Sequence, residues 1–148
     1  MSDMSVRIEL KAKIPDLVRS NVKALRSSIK ELSKQLLNEI KNRAPVDTGM
    51  LRSSFRTSII DESNRIKAKI ESSVPYALML EYGTNAHMIT AKQSKALHFI
   101  ADNNEVVVKS VMHPGIKGRF YIKQSIDNTL PRFNSILSRN LAREMSNE

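Results

Sequence analysis

Ala44-Pro45-Val46-Asp47-Thr48-Gly49-Met50-Leu51-Arg52 stands where one periodicity stops and another begins. Before it, apolar residues recur every three or four positions; after it, they alternate. Pro45 fixes its own φ and disfavours helix at Ala44. Asp47 and Thr48 can hydrogen-bond nearby backbone through their side chains, and Gly49 can take a positive φ. Such residues between two periodic segments form a rigid corner that hands a helix over to a sheet. On these residues alone, an ordinary turn carries most of the weight. The stretch gains meaning only beside two later ones, Tyr76 to His87 and His113 to Phe120.

Upstream of the corner, Val18, Val22, Leu25, Ile29, Leu32, Leu36 and Ile40 form one apolar stripe. The expectation is a long helix that opens at Pro15-Asp16 and ends near Arg43. Lys23, Arg26, Lys30, Lys34 and Lys41 fall largely off the stripe. The helix lies across its own sheet or partly against another subunit, with equal weight on each. Before it, Val6, Ile8, Leu10 and Ala12 alternate with charged residues, as in an edge strand or an extended arm.

Downstream, Leu51, Ser53, Phe55, Thr57 and Ile59 alternate with polar and basic neighbours, and so do Ile66, Ala68 and Ile70. With the polar turn Asp61-Glu62-Ser63-Asn64 between them, they read as an antiparallel hairpin with one buried face. Val74 to Thr84 suits about two helical turns, started by Pro75 and stopped by Gly83. Tyr76 and Leu80 would share one side, and the segment would plug an end of the sheet. Met88–Ala91, Ala96–Ile100 and Val106–Met112 are β-prone, with turns at 92–95 and 102–105. From Phe120 a second helical pattern runs through Ile122, Ile126, Leu130, Phe133, Leu137 and Leu141, and Pro131 should divide it. The fold class is α+β. An antiparallel sheet of about four to five strands is packed by the long N-terminal helix and a C-terminal helix. Residues 1–148 form one domain, with 1–14 as an arm or edge strand and 142–148 frayed.

At 148 residues the chain can bury a sizeable core, and 41% hydrophobic with 26% charged residues is ordinary globular composition. With no cysteine, neither disulfides nor thiolate metal sites are available. No stretch approaches the ~20 apolar residues that span a bilayer, so no membrane partner is expected. Met1 to Arg7 lacks an apolar signal core; the expectation is a protein used inside a cell or built there into something larger. The net charge of +9 raises nucleic acid as a partner. Ten Lys/Arg against five Asp/Glu fall in residues 1–43, and seven against five in each of 44–100 and 101–148. The basic excess is thus spread along the first helix, where a solvated face outweighs a nucleic-acid surface built on Lys23, Arg26, Lys30 and Lys34.

No catalytic set is readable. His87, His98 and His113 lack metal-type local spacing; a metal site of Glu81, His87 and His113 carries little weight, as does a carboxylate pair of Asp47 and Glu81. There is no nucleophile elbow and no phosphate-cradling loop. The expectation is a non-enzyme without metal or cofactor.

The three punctuated stretches can be read together. Ala44 to Ser54 resembles the APVDTGxLRxS signature of a family of tailed-bacteriophage head–tail joining proteins, also called neck, tail-completion or minor tail components. Tyr76-Ala77, then Glu81-Tyr82-Gly83-Thr84 and His87, is similar to a second part of that pattern. Lys95 to Phe99, the strand from Val106, then His113-Pro114-Gly115-Ile116-Lys117 and Phe120, is similar to a third. The resemblance covers about residues 15–145; Pro131 departs from it. It implies a structural α+β subunit at the junction of head and tail that joins or completes the tail. Such subunits assemble in the host cytoplasm into homo-oligomeric rings, six-fold on the tail side or twelve-fold on the portal side. Neighbours would be head-completion, tail-terminator or tail-tube proteins, with DNA passing by but not tightly bound. Pro45, Asp47, Thr48, Gly49, Leu51, Arg52, Tyr76, Glu81, Tyr82, Gly83, His87, His113, Pro114, Gly115 and Phe120 become the expected motif and assembly residues, with Tyr82 and Phe120 as anchors.

Overall fold

The structure is a computed structural model and describes residues 5–13 and 21–147. Strand β1 (Val6–Lys13) opens the chain, and helix α1 (Val22–Arg43) follows. The expected helix start at Pro15-Asp16, and Val18 with it, lies outside the described residues. Helix α2 (Met50–Ser54) leads into β2 (Arg56–Glu62) and β3 (Arg65–Ser72). These strands form an antiparallel sheet in the order β1-β3-β2. Central β3 turns Ile66, Ala68, Ile70 and Ser72 inward at every second residue, as its alternation predicts.

Helix α1 is the hub of this body. One shoulder, with Ile29, Leu36 and Ile40, packs on the sheet; the other meets α4 (Tyr121–Thr129) and α5 (Phe133–Met145). The buried face is wider than the apolar stripe, because Ala24, Ser28 and Ser33 are buried too. Ser28 donates to the Ala24 carbonyl at 2.7 Å and accepts from Asn140 Nδ2 at 2.9 Å, so its hydroxyl is satisfied inside the α1–α5 contact. Pro131 divides the C-terminal helical pattern as expected, within a 3-10 turn at Leu130–Arg132. Helix α5 runs to Met145, beyond the residue 142 at which fraying was expected, and Lys23 pairs with Glu144 at 3.4 Å.

Two expectations are corrected. Leu51–Ser54 is helical rather than the start of a strand. Gly49 sits at φ 83°, Thr48 Oγ1 accepts the Met50 N–H, and Ser53 N–H reaches the Gly49 carbonyl, closing a helical turn. Leu51 and Phe55 are four residues apart, so one turn of helix sends both into the core. Their alternation with serines imitated a strand.

The second correction concerns the sheet. The β-prone segments after Gly83 do not join β1-β3-β2. They pair among themselves as β4 (Gly83–Thr84) with β9 (Ile116–Lys117), β5 (His87–Thr90) with β8 (Ser110–His113), and β6 (Leu97–Ala101) with β7 (Asn104–Val108). These nested ladders make one two-stranded ribbon folded back at Asp102-Asn103. Both turn residues have positive φ, 50° and 64°, the conformation of a tight hairpin whose twist matches its strands. The run expected as one strand, Val106–Met112, bends at Lys109, opposite the six-residue detour 91–96. No residue from 82 to 120 is buried.

Candidate functional site

Helix α3 (Tyr76–Tyr82) runs from the body to the root of the ribbon. Its inward residues are Ala77 and Glu81, one helical turn apart, while Tyr76 is 38% exposed. Glu81 is only 3% exposed. Its two carboxylate oxygens accept the N–H groups of Ile122 and Lys123, at 2.8 and 3.0 Å. Those amides belong to the first turn of α4, which no local side chain caps. A carboxylate from a distant helix therefore satisfies orphan donors and faces the positive end of the α4 dipole. Tyr121, 2% exposed, donates its hydroxyl to the Ala77 carbonyl at 2.9 Å. Burial, and secondarily the charge of Glu81, push the Tyr121 phenol far above its ordinary range, so it stays a donor.

The root is tightened by close backbone approach. Arg119 N–H bonds the Leu80 carbonyl and Phe120 N–H the Glu81 carbonyl. A Cβ on Gly83 would lie 2.5 Å from the Ile116 oxygen, and one on Gly115 would collide with the Thr84 carbonyl. Both glycines also have positive φ. The rings of His87 and His113 face each other across the ladder with centroids 5.1 Å apart. Gly115 N–H donates to His113 Nδ1, and His87 Nδ1 donates to the Asn85 carbonyl. Tyr82, 69% exposed, and Phe120, 44% exposed, meet edge to face at 6.5 Å.

The structure thus brings the second and third motif stretches into one joint: Glu81, Tyr82, Gly83 and His87 from one, His113, Gly115 and Phe120 from the other. Pro114 is exposed beside it. The first stretch joins through the core. Ala44, Leu51 and Phe55 share a hydrophobic cluster with Ala77, Tyr121 and Ile122, and Phe55 meets Tyr121 edge to face at 6.3 Å. Its polar members do not reach the joint. Asp47, Thr48 and Arg52 are exposed, and Pro45 is half-buried.

The residues of two less favoured readings can also be placed. Glu81 is occupied as a helix cap, and among the described residues no group of three or more His, Cys, Asp or Glu is placed to hold a metal ion. Of the four cations named on α1, Arg26 pairs with Asp61 at 3.0 Å and Lys23 with Glu144. Lys30 and Lys34 remain exposed on the solvent side with Lys41 half-exposed. Sequence reading missed Tyr121, which is bonded to Ala77 of the second stretch and shares the core cluster of Ala44 and Leu51 from the first. Its signal was an aromatic residue just inside a helix start, next to the more conspicuous Phe120.

No curated protein and no solved structure matches the chain. A family model described as "Bacteriophage HK97-gp10, putative tail-component" matches residues 8–83, just over half of the chain, from β1 through the end of α3. The matched segment holds the first motif stretch and α3, while the ribbon beyond Gly83 lies outside it. The chain belongs to the HK97-gp10-like family of bacteriophage proteins.

Proposed function

We propose that this protein is a structural subunit of the phage head–tail junction that joins or completes the tail during virion assembly. It works by association rather than by catalysis, assembles in the host cytoplasm as a homo-oligomeric ring, and ends in the virion beside head-completion, tail-terminator or tail-tube proteins. The observation that carries this reading is the family match over residues 8–83, the segment that builds most of the body. The rest of the chain suits the role: a rigid joint of Glu81, Tyr121 and close-packed glycines holds out a ribbon with no buried residue. Tyr82 and Phe120 at the root serve as interface anchors, since exposed aromatics are favoured there.

The test is the mass of the purified chain by light scattering, alone and with tail tubes. A 16.7 kDa species that becomes a closed ring supports the reading. A species that stays at that mass with tail tubes, and grows only with duplex DNA, overturns it.

A further inference from the structure

The distal ladder of the ribbon, β6 with β7, has a chemistry unlike the rest of the chain. In its register His98 pairs with Val107 and Ile100 with Glu105, so these four share one face. Ile100 is 78% exposed and Val107 is exposed too. The opposite face, with Leu97 and Phe99, borders a cleft of about 470 Å³ that the ribbon's own Ile89 and Val111 also line. On the other face His98 reaches the rim of that cleft, while Ile100 and Val107 do not line it. A two-stranded ribbon is at best marginally stable in water until a further surface packs on it. Apolar side chains held out on one therefore point to a covering partner.

Charge selects the partner. Between Leu97 and Val108 the charged residues are Asp102 and Glu105, both acidic, in a chain of net charge +9. On α1, Lys23, Lys30, Lys34 and Lys41 are spaced 7, 4 and 7 residues apart, within one narrow strip of the solvent face. Lys23 is engaged by Glu144, while among the described residues no carboxylate lies within salt-bridge distance of Lys30, Lys34 or Lys41. Lysine stems offer apolar cover while their ammonium groups reach carboxylates.

We propose that the Ile100–Val107 face of the ribbon docks on α1 of a second copy of this chain, with Glu105 and Asp102 meeting Lys30 and Lys34. Such a contact joins two different surfaces of the same molecule. It is head-to-tail, and repeated it closes a ring or grows a filament. The inference rests on the homo-oligomeric ring proposed above and assigns its interface.

A charge exchange tests it. One variant carries Glu105→Lys with Asp102→Asn, Asn being tolerant of the positive φ at that turn. The other carries Lys30→Glu with Lys34→Glu. Each alone should need roughly tenfold more protein to reach the wild-type mass in light scattering, the change that accompanies a loss of about 1.4 kcal/mol. Mixed one to one, they should recover the wild-type mass. The basic ribbon of one meets the acidic helix of the other, and the unaltered acidic ribbon meets the unaltered basic helix. Recovery also shows that both variants are folded. If the wild type forms rings but both variants match it, or the mixture does no better than its parts, the docking is wrong and the ring stands. If the wild type remains at 16.7 kDa with tail tubes present, the ring reading fails and the docking with it. If mass rises only with duplex DNA and the lysine variant loses that rise, the lysine row is a nucleic-acid surface and the docking is overturned.

Discussion

The hairpins β2–β3 and β6–β7 share a tight polar reversal but end in opposite states. β3 alternates apolar and basic residues, whereas β6 and β7 carry apolar residues on both faces, and each hairpin reverses through two residues, Ser63-Asn64 and Asp102-Asn103. In the first, Ile66, Ala68 and Ile70 are buried under α1. In the second, no residue is buried. Alternation reports that a strand has an apolar face; it does not report whose surface covers that face. For β3 the cover lies earlier in the same chain. For the ribbon no such cover lies among the described residues, and the docking proposed above would supply it from a second copy.

The sharpest way to break this comparison is to empty one side chain from each region. Tyr121→Ala removes a buried ring, its contact with Phe55 and its bond to the Ala77 carbonyl. It should cost about 4 kcal/mol in urea unfolding of the monomer, a large share of the ~5–15 kcal/mol that holds a domain together. Ile100→Ala should change monomer stability by less than about 0.5 kcal/mol, because that side chain is 78% exposed. Equal losses would mean that the ribbon belongs to the folding unit and that the distinction is false.

A smaller effect separates holding from docking. Glu81→Gln keeps the shape of the cap but removes its charge from the α4 N-terminus. It should cost about 1–2 kcal/mol and hasten hydrogen exchange at the Ile122 and Lys123 amides. Assembly of the folded variant should be unchanged. Lost assembly at unchanged stability would make Glu81 an interface group rather than a clamp.

Much of the body was legible because its causes are local. The stripe from Val22 to Ile40, the corner at Pro45, the division at Pro131 and the stop at Gly83 each follow from spacing or from one residue's backbone preference. Gly49 was legible for the same reason: at φ 83° a side chain would find open space, so the backbone alone asks for glycine. What escaped depended on partners far away in sequence. Ser28 is buried off the apolar stripe because Asn140, 112 residues on, donates to its hydroxyl. Glu81 looked like a candidate ligand until α4 presented its amides, 41 and 42 residues on. The α2 turn escaped because Leu51, Ser53 and Phe55 satisfy period two as well as the i, i+4 spacing. The ribbon's separation from the sheet escaped because registry among β5 to β8 depends on which strands meet, and alternation is silent on that.

The smallest effect expected is a graded one with acid. Glu9, Glu31, Glu39 and Glu71 are each held below the ordinary carboxylate value of 4.5, first by hydrogen bonds from Lys11, Arg139, Arg43 and Lys69 respectively. A carboxyl lowered in the folded state contributes stability above its unfolded value. That contribution is lost as pH falls through the lowered folded value. All four lie in the body, on β1, β3 and α1, where Glu9 and Glu71 meet the sheet's lysines and Glu31 clasps Arg139 of α5. Thermal midpoints of the monomer should therefore be level from pH 7 to pH 5 and fall below pH 4.5, with a shallower fall in 0.5 M salt. Glu31→Gln should flatten part of that fall. Glu105→Gln removes one more titrating carboxylate, but from the ribbon, and should leave the slope as it was. A slope that responds equally to both would trace the acid sensitivity to total charge repulsion rather than to the body's ion pairs.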